Sequence, residues 1–415
     1  MKIRKTKLKE GLLLVLLFLY VFDVDLFPIE MVILLTICGL IMIGMQSIAH
    51  RTLYLPAYVK NVIKYLMPFL CWLFIDEILH SITNVSRTML YMNQFLSIGR
   101  PFVRLFVAVY VIGVYSKLDT DKFESALIKI GTVQCVCVFA AFLSPKIREA
   151  FNGLTLRNGH STHMASYILT NNQRCYGLAD NLFDSFGYIT AIIIVLSIIK
   201  AISDEKKYFI LVLPMLAMPL LNARTGLVLV AIGTIISLVY YADNVFLKEA
   251  IKYIAITIVA IIIISWAYGK LPADTREWIE KGITSIATLI GGEKTRTFSQ
   301  LDQMQIYPND MLLGDGASAE ILKKGYSDIG YIRLLWQTGI VGVVLYVGGI
   351  ALLFLRCYKQ TLVKKRKCFI TCLAVIYFVY LYKLYSLGNA GANCIIFGFL
   401  VLLEKENYEM RKGDD

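Results

Sequence analysis

Residues 218–229 read MPLLNARTGLVL and set one guanidinium, Arg224, between two apolar runs. An ionised side chain at membrane depth is costly, and it marks a functional position by default. The run from Tyr208 to Leu221 has 14 residues, about 21 Å of helix. The run from Thr225 to Tyr241 has 17, about 26 Å. Both fall short of a hydrocarbon core about 30 Å thick. Arg224 is therefore expected on the floor of an outward-facing recess; snorkelling to the headgroups or pairing with a carboxylate is the competing account. A guanidinium presents a planar fork of donors that matches carboxylate or phosphate and stays charged when partly desolvated. The chemistry on offer is capture of an anion.

Other arginines share that side. Of 15 arginines, ten fall on segments expected outside, among them Arg87, Arg148, Arg174, Arg276, Arg296 and Arg333, against seven of 27 lysines. An anion drawn from the outer leaflet points to a lipid phosphate or diphosphate. Were a sugar attached, transfer would need fixed cations facing the departing diphosphate. It would also need a base beside the attacking hydroxyl. The outer acidic residues are Asp180, Asp184, Asp302, Asp310, Asp315 and Asp328.

Soluble-enzyme motifs are missing: no phosphate-binding glycine loop, no H-E-x-x-H and no nucleophile elbow occurs. His160 and His163 in HSTH are spaced for a shared metal, but an exposed loop accounts for them and no further ligands stand nearby in sequence. Asp23 and Asp25 form a D-x-D similar to that of metal-dependent membrane glycosyltransferases, although paired carboxylates are common at membrane interfaces. The nine cysteines lie mostly in apolar runs, with no C-x-x-C pair; only Cys175 sits in a long polar segment.

These residues need a membrane scaffold to position them. The 415-residue chain is 57% hydrophobic and 17% charged, whereas soluble domains carry about 25% charged residues. Apolar runs recur near 11–27, 29–49, 62–80, 101–117, 125–144, 182–202, 208–222, 225–241, 250–269, 329–355, 368–386 and 393–404. The expectation is one all-α polytopic domain over 1–415 with about twelve spans and both termini cytoplasmic. The first run lacks a small-x-small cleavage site and reads as a retained signal anchor. The short loops on the amino-terminal side are all basic, including KKRK at 364–367, as insertion requires. The net charge of +12 is thereby accounted for without nucleic acid. Two long polar segments fall outside, 145–181 and 270–328, and loops of this length are usually functional. Within the second, Trp278, Ile279, Ile283, Ile286 and Ile290 have helical spacing. That pattern fits an amphipathic helix lying on the membrane face or packed on the protein.

On that frame, TRTFSQLDQMQIYPNDMLLGDG at 295–316, followed by SDIGYIRLLWQTGIVGVVLYV at 327–347, resembles the O-antigen polymerase and O-antigen ligase family. NNQRCYGLADNLFDSFGYI at 171–189 and LNARTG at 221–226 are similar to the family's other arginine passages, and the four come in its order across about half the chain. The resemblance implies a GT-C-like membrane fold. It also implies a polymerase or ligase acting on undecaprenyl-diphosphate-linked oligosaccharides outside a bacterial plasma membrane, with no cofactor or metal. A chain-length regulator is a further implied partner. Carried over by position, Arg174, Arg224 and Arg296 bind diphosphate or substrate, and Gly314 and Gly316 shape the loop. Arg276 joins them as an outer arginine of the same segment. Ligases have a histidine where this chain has Asp328; the difference favours a polymerase and makes Asp328 the candidate base, with helix N-capping as its alternative role. Arg148 and Gly159 fit an arginine-to-glycine spacing of the family, but such a pair is expected by chance among 15 arginines and 28 glycines. A flippase would instead place ionisable residues at mid-span. Asp76, Glu77, Arg104 and Lys383 all lie towards the outer ends. Tyr176, Tyr307, Tyr326, Tyr331 and Trp336 are candidates to stack on sugar rings.

Overall fold

The computed structural model describes residues 2–25, 30–52, 54–155, 175–180, 183–203, 207–242, 276, 277, 280, 284, 303–384 and 386–413. Every regular element among the described residues is helical. In chain order these are α1 (Lys2–Val21), α2 (Met31–His50), α3 (Ala57–Ile63), α4 (Met67–Thr83), α5 (Thr88–Tyr110), α6 (Thr120–Leu143) and α7 (Pro145–Thr155). They continue as α8 (Phe183–Ser203), α9 (Tyr208–Asn222), α10 (Arg224–Tyr240), α11 (Gly330–Gln360), α12 (Lys364–Lys383) and α13 (Ala390–Gly413). Among the described residues, five helical stretches are long and apolar enough to cross a membrane: Met31–Ala49, Thr88–Tyr115, Thr120–Leu143, Phe183–Ser203 and Gly330–Gln360. Each expected span that falls on described residues overlaps a helix, and the one at 250–269 lies outside them.

Two elements differ from expectation. The span expected to start at Pro101 runs back through that proline to Thr88, because TMLYMNQFLSIGR before it mixes polar residues with helix-forming Met and Leu. The segment 145–181, expected as a large outer loop, begins with a helix, α7. Pro145 stands at its first position, where a missing N–H costs nothing, and Ser144 precedes it as a cap residue, accepting from Ile147 N at 3.4 Å.

The chain divides into two compact units. The first contains residues 1–24, 29–127 and 297–415; the second contains 25–28 and 128–296. In the second, α8 is the central helix: its residues from Phe186 to Ala201 are all buried, against α9 and α10. The close approach depends on a glycine pair. A Cβ on Gly226 would lie 2.7 Å from the Gly187 carbonyl oxygen. Small residues at such crossings let helix backbones touch, which is how spans associate without a hydrophobic drive between them.

In the first unit, α11 packs on α4 and α12, and α13 on α3 and α5. One end of this unit is ionic. Arg356 donates to both oxygens of the buried Glu404 at 2.8 and 3.3 Å, and Asn61 donates to the same carboxylate at 3.0 Å. Lys365 lies 3.1 Å from Asp121 and 3.5 Å from Glu124, and Arg366 bonds Glu406. Part of the KKRK run therefore has carboxylate partners within the unit, beyond its expected part in orientation.

Candidate functional site

The site in the first unit starts from a break in a helix. Gly339, inside α11, has φ 63° and ψ −176°. A side chain there would be doubly excluded: the conformation is nearly closed to L-residues, and a Cβ would sit 2.0 Å from the Leu312 carbonyl oxygen. In an unbroken helix Ile340 N–H would donate to Trp336 O. Here it donates to Met311 O at 2.9 Å, and Trp336 O accepts from Asp315 N at 2.8 Å. Trp72 Nε1 donates to Thr338 O at 2.9 Å. The break thus exchanges helix hydrogen bonds for bonds to residues 311–315, so the loop is sewn into the helix through main-chain atoms.

Gly314 and Gly316 are the residues that let the loop lie so close. Both have positive φ, 81° and 70°. A Cβ at Gly314 would meet Gly339 N at 2.7 Å, and one at Gly316 would meet the His80 ring at 2.8 Å. Gly314 thus lies against α11 and Gly316 against α4. Behind the loop, Trp336 packs with Ala319, Ile329 and Ile332, and its Nε1 donates to Ile306 O at 2.9 Å.

Beside the loop is an open recess of about 380 Å³, lined among others by His80, Arg87, Tyr91, Asn309, Asp310 and Lys324. Its two carboxylates serve the loop itself. Asp310 Oδ1 accepts from Leu312 N and Leu313 N at 2.8 and 3.0 Å. Asp315 accepts from Asn309 N and Asp310 N, and Lys324 Nζ lies 2.9 Å away. His80 is different. Its Nε2 lies 3.5 Å from Oδ1 of the buried Asp76, one turn earlier on α4. Its ring centroid is 5.3 Å from that of Tyr91.

Asp328 is not among the residues that line this cavity. Its carboxylate accepts the Tyr326 hydroxyl proton, and the Arg333 guanidinium sits 5.8 Å from the Tyr326 ring centre. Asp328 is not the cap of α11 either; Ile329 holds that position without a side-chain bond.

The second unit holds a separate polar turn. α9 ends at Asn222 and α10 starts at Arg224, with Ala223 extended between them. Asn222 clamps the residue after Arg174: its Oδ1 accepts from Cys175 N at 2.8 Å and its Nδ2 donates to Cys175 O at 2.7 Å. Gln134 Nε2 donates to Tyr176 O at 2.5 Å, the Tyr176 hydroxyl accepts from Phe183 N at 3.1 Å, and Thr225 donates to Asp184. Burial pushes the Cys175 thiol up, while the neighbouring Arg148 guanidinium pulls the other way. The two sequence passages around Arg174 and Arg224 are thus joined through Asn222.

Arg174 and Arg296 lie outside the described residues, as does the Arg224 side chain. Arg276 is helical and half-buried, with Glu277, Glu280 and Thr284 exposed on the polar face of the helix expected there; Trp278, Ile279, Ile283, Ile286 and Ile290 lie outside the description. His160 and His163 do so too. Two of the aromatic residues expected to stack on sugars are buried instead: Trp336 in the loop's core and Tyr176 under α8. Sequence reasoning missed the Asp76–His80 pair, whose signal is the i, i+4 spacing on one helix face, and discounted Arg148. Neither a scan against protein-family models nor a search of curated proteins finds a match to the chain.

Proposed function

We propose that this protein is a membrane polysaccharide polymerase that crosses a bacterial plasma membrane about twelve times, with both termini inside. It moves a glycan from undecaprenyl diphosphate onto the terminal sugar of a second lipid-linked repeat unit, outside, without metal. Arg174, Arg224, Arg276 and Arg296 take the diphosphate in this reading.

One observation supports the reading most. The two stretches that carry the family resemblance, around GDG at 314–316 and GI-x-G at 339–342, are bonded main chain to main chain beside a cavity of about 380 Å³. The first of those stretches supplies Asn309, Asp310, Leu313, Gly314 and Asp315 to the lining of that space, and residues 79–91 supply most of the rest. Asn309, Tyr91 and Arg87 give it the amide, ring and cation that sugar hydroxyls and ring faces bind.

The test uses a strain lacking the gene, with wild type and Arg224→Ala returned separately, and sizes surface and lipid-linked glycans. Single repeat units outside in the deletion, and no ladder with Arg224→Ala, are the expected results. Long chains on lipid that reach no acceptor would make it a ligase. Single units held on the inner leaflet would make it a flippase.

A further inference from the structure

We propose that Asn222 is a positioning residue of the second unit, holding the main chain that carries Arg174 and Arg224 so that both act on one diphosphate. The inference rests on the polymerase reading and adds to it the group that sets two of its arginines in register.

Asn222 is 0% exposed, at the end of α9. Its Oδ1 accepts from Cys175 N at 2.8 Å, and its Nδ2 donates to Cys175 O at 2.7 Å and to Met218 O at 2.9 Å. Both amide hydrogens are thus used, and none is left for a ligand. The side chain instead pairs with both main-chain groups of Cys175, as a neighbouring strand would. The pairing joins positions 47 residues apart. It falls one residue after Arg174 and two before Arg224, about 4 and 7 Å of chain respectively. A second tie lies just beyond. Thr225, the residue after Arg224, donates to Asp184 in the first turn of α8. The turn is also pressed on α8, since a Cβ at Gly187 would lie 2.8 Å from the Ala223 Cβ. Arg224 is therefore flanked on both sides by ties to the 175–184 passage.

An amide suits this task better than a carboxylate. Two guanidinium groups repel each other until an anion arrives, so their main chain has to be held by other bonds. A carboxylate at 222 would compete with the diphosphate for them, and a neutral side chain with one acceptor and two donors does not. Cations fixed in advance stabilise a departing diphosphate without reorganising. A displacement of about 1 Å is enough to cost ~10²-fold in rate.

The experiment measures polymer formed from lipid-linked repeat units, over a range of their concentration, in membrane vesicles from the deletion strain carrying each variant at matched protein level. Asn222→Ala is expected to lose about 10²-fold in kcat/KM. Arg224→Lys keeps the charge and gives up the planar fork. Added to Arg224→Lys, Asn222→Ala is expected to cost less than about tenfold more, because residues that act through one contact are not additive. The full loss in that background would overturn the proposal and make Asn222 a support of the fold alone. A wild-type rate for Asn222→Ala would overturn it too, with the polymerase reading intact. Should the alanine variant fail to accumulate, Asn222→Asp decides, since it keeps the acceptor for Cys175 N and loses both donations. A wild-type rate with Asn222→Asp overturns the proposal, and loss of about 10²-fold at normal protein level upholds it. Unchanged glycans in the deletion strain would overturn the polymerase reading itself.

Discussion

Tyr326 shows how much a single hydroxyl can be asked to do. It donates to Asp328 and lies under the Arg333 guanidinium. Burial first, then the bond to Asp328, pushes its hydroxyl up to about 12 from an ordinary 10.0. A pKa raised in the folded state contributes stability below the unfolded value, and that stability is lost as pH rises through the folded one. The Tyr326 contribution should therefore disappear between pH 10 and about 12. Tyr326→Phe is expected to flatten the fall of Tm across that window in detergent solution; an unchanged slope would show that the bond contributes nothing. Asp328 illustrates the limit of reading residues one at a time. Its place before an expected helix made it a base or a cap, and only the neighbouring tyrosine decides what it touches. Asp76 and His80 were in plain view, one turn apart. A histidine at the end of an apolar run says nothing of the loop from another segment that covers it.

Among the elements, α11 carries the most consequence. Its sequence from 329 to 355 reads as one uninterrupted apolar helix, and nothing local announces a break, since glycines inside spans are common. The break exists because Met311 O and Asp315 N replace the helix's own partners, and those come from a different part of the chain. Gly339→Ala is expected to undo this. The backbone at φ 63° and ψ −176° is open essentially only to glycine and costs another residue about 1–3 kcal/mol, and its Cβ would also collide with Leu312 O at 2.0 Å. The loop should then release from α11 and become open to limited proteolysis near 310–325, with the helices still inserted. A second element test lies at the ionic end of the same unit. Arg356→Met leaves buried Glu404 without its strongest partner and is expected to destabilise the protein by about 3–5 kcal/mol. Adding Glu404→Gln to that variant should recover part of the loss, measured as Tm. Helix extents were otherwise legible from apolar periodicity, because spans are long and their composition is uniform. The ends were less so, as Thr88 and Pro145 show: polar residues beyond a span can continue a helix or start one.

For the whole molecule, the membrane character follows from composition, and the five long apolar helices agree with it. Orientation was read from loop charge, and it makes a direct prediction. In a cysteine-free background, Val85→Cys, at an exposed position between α4 and α5, should react with an impermeant maleimide added to intact cells. Leu362→Cys, exposed between α11 and α12, should react only after the membrane is opened. The reverse pattern would invert the molecule and remove the cavity from the outer face. The two-unit division was not legible at all, because an apolar helix does not record which partner it will meet. That division also sets a schedule for biosynthesis. The first unit takes its final segment from residues 297–415, after the whole of 128–296 has been made. At ~5–20 residues per second, Asp76, Glu77 and His80 wait roughly ten to fifty seconds for Asp310 and Leu313 to be synthesised. Through that interval a polar cluster stands on a helix end with its cover missing. A nascent chain stalled before residue 310 should thus be the form that quality-control proteases in the membrane recognise, and release of the stall should end that susceptibility.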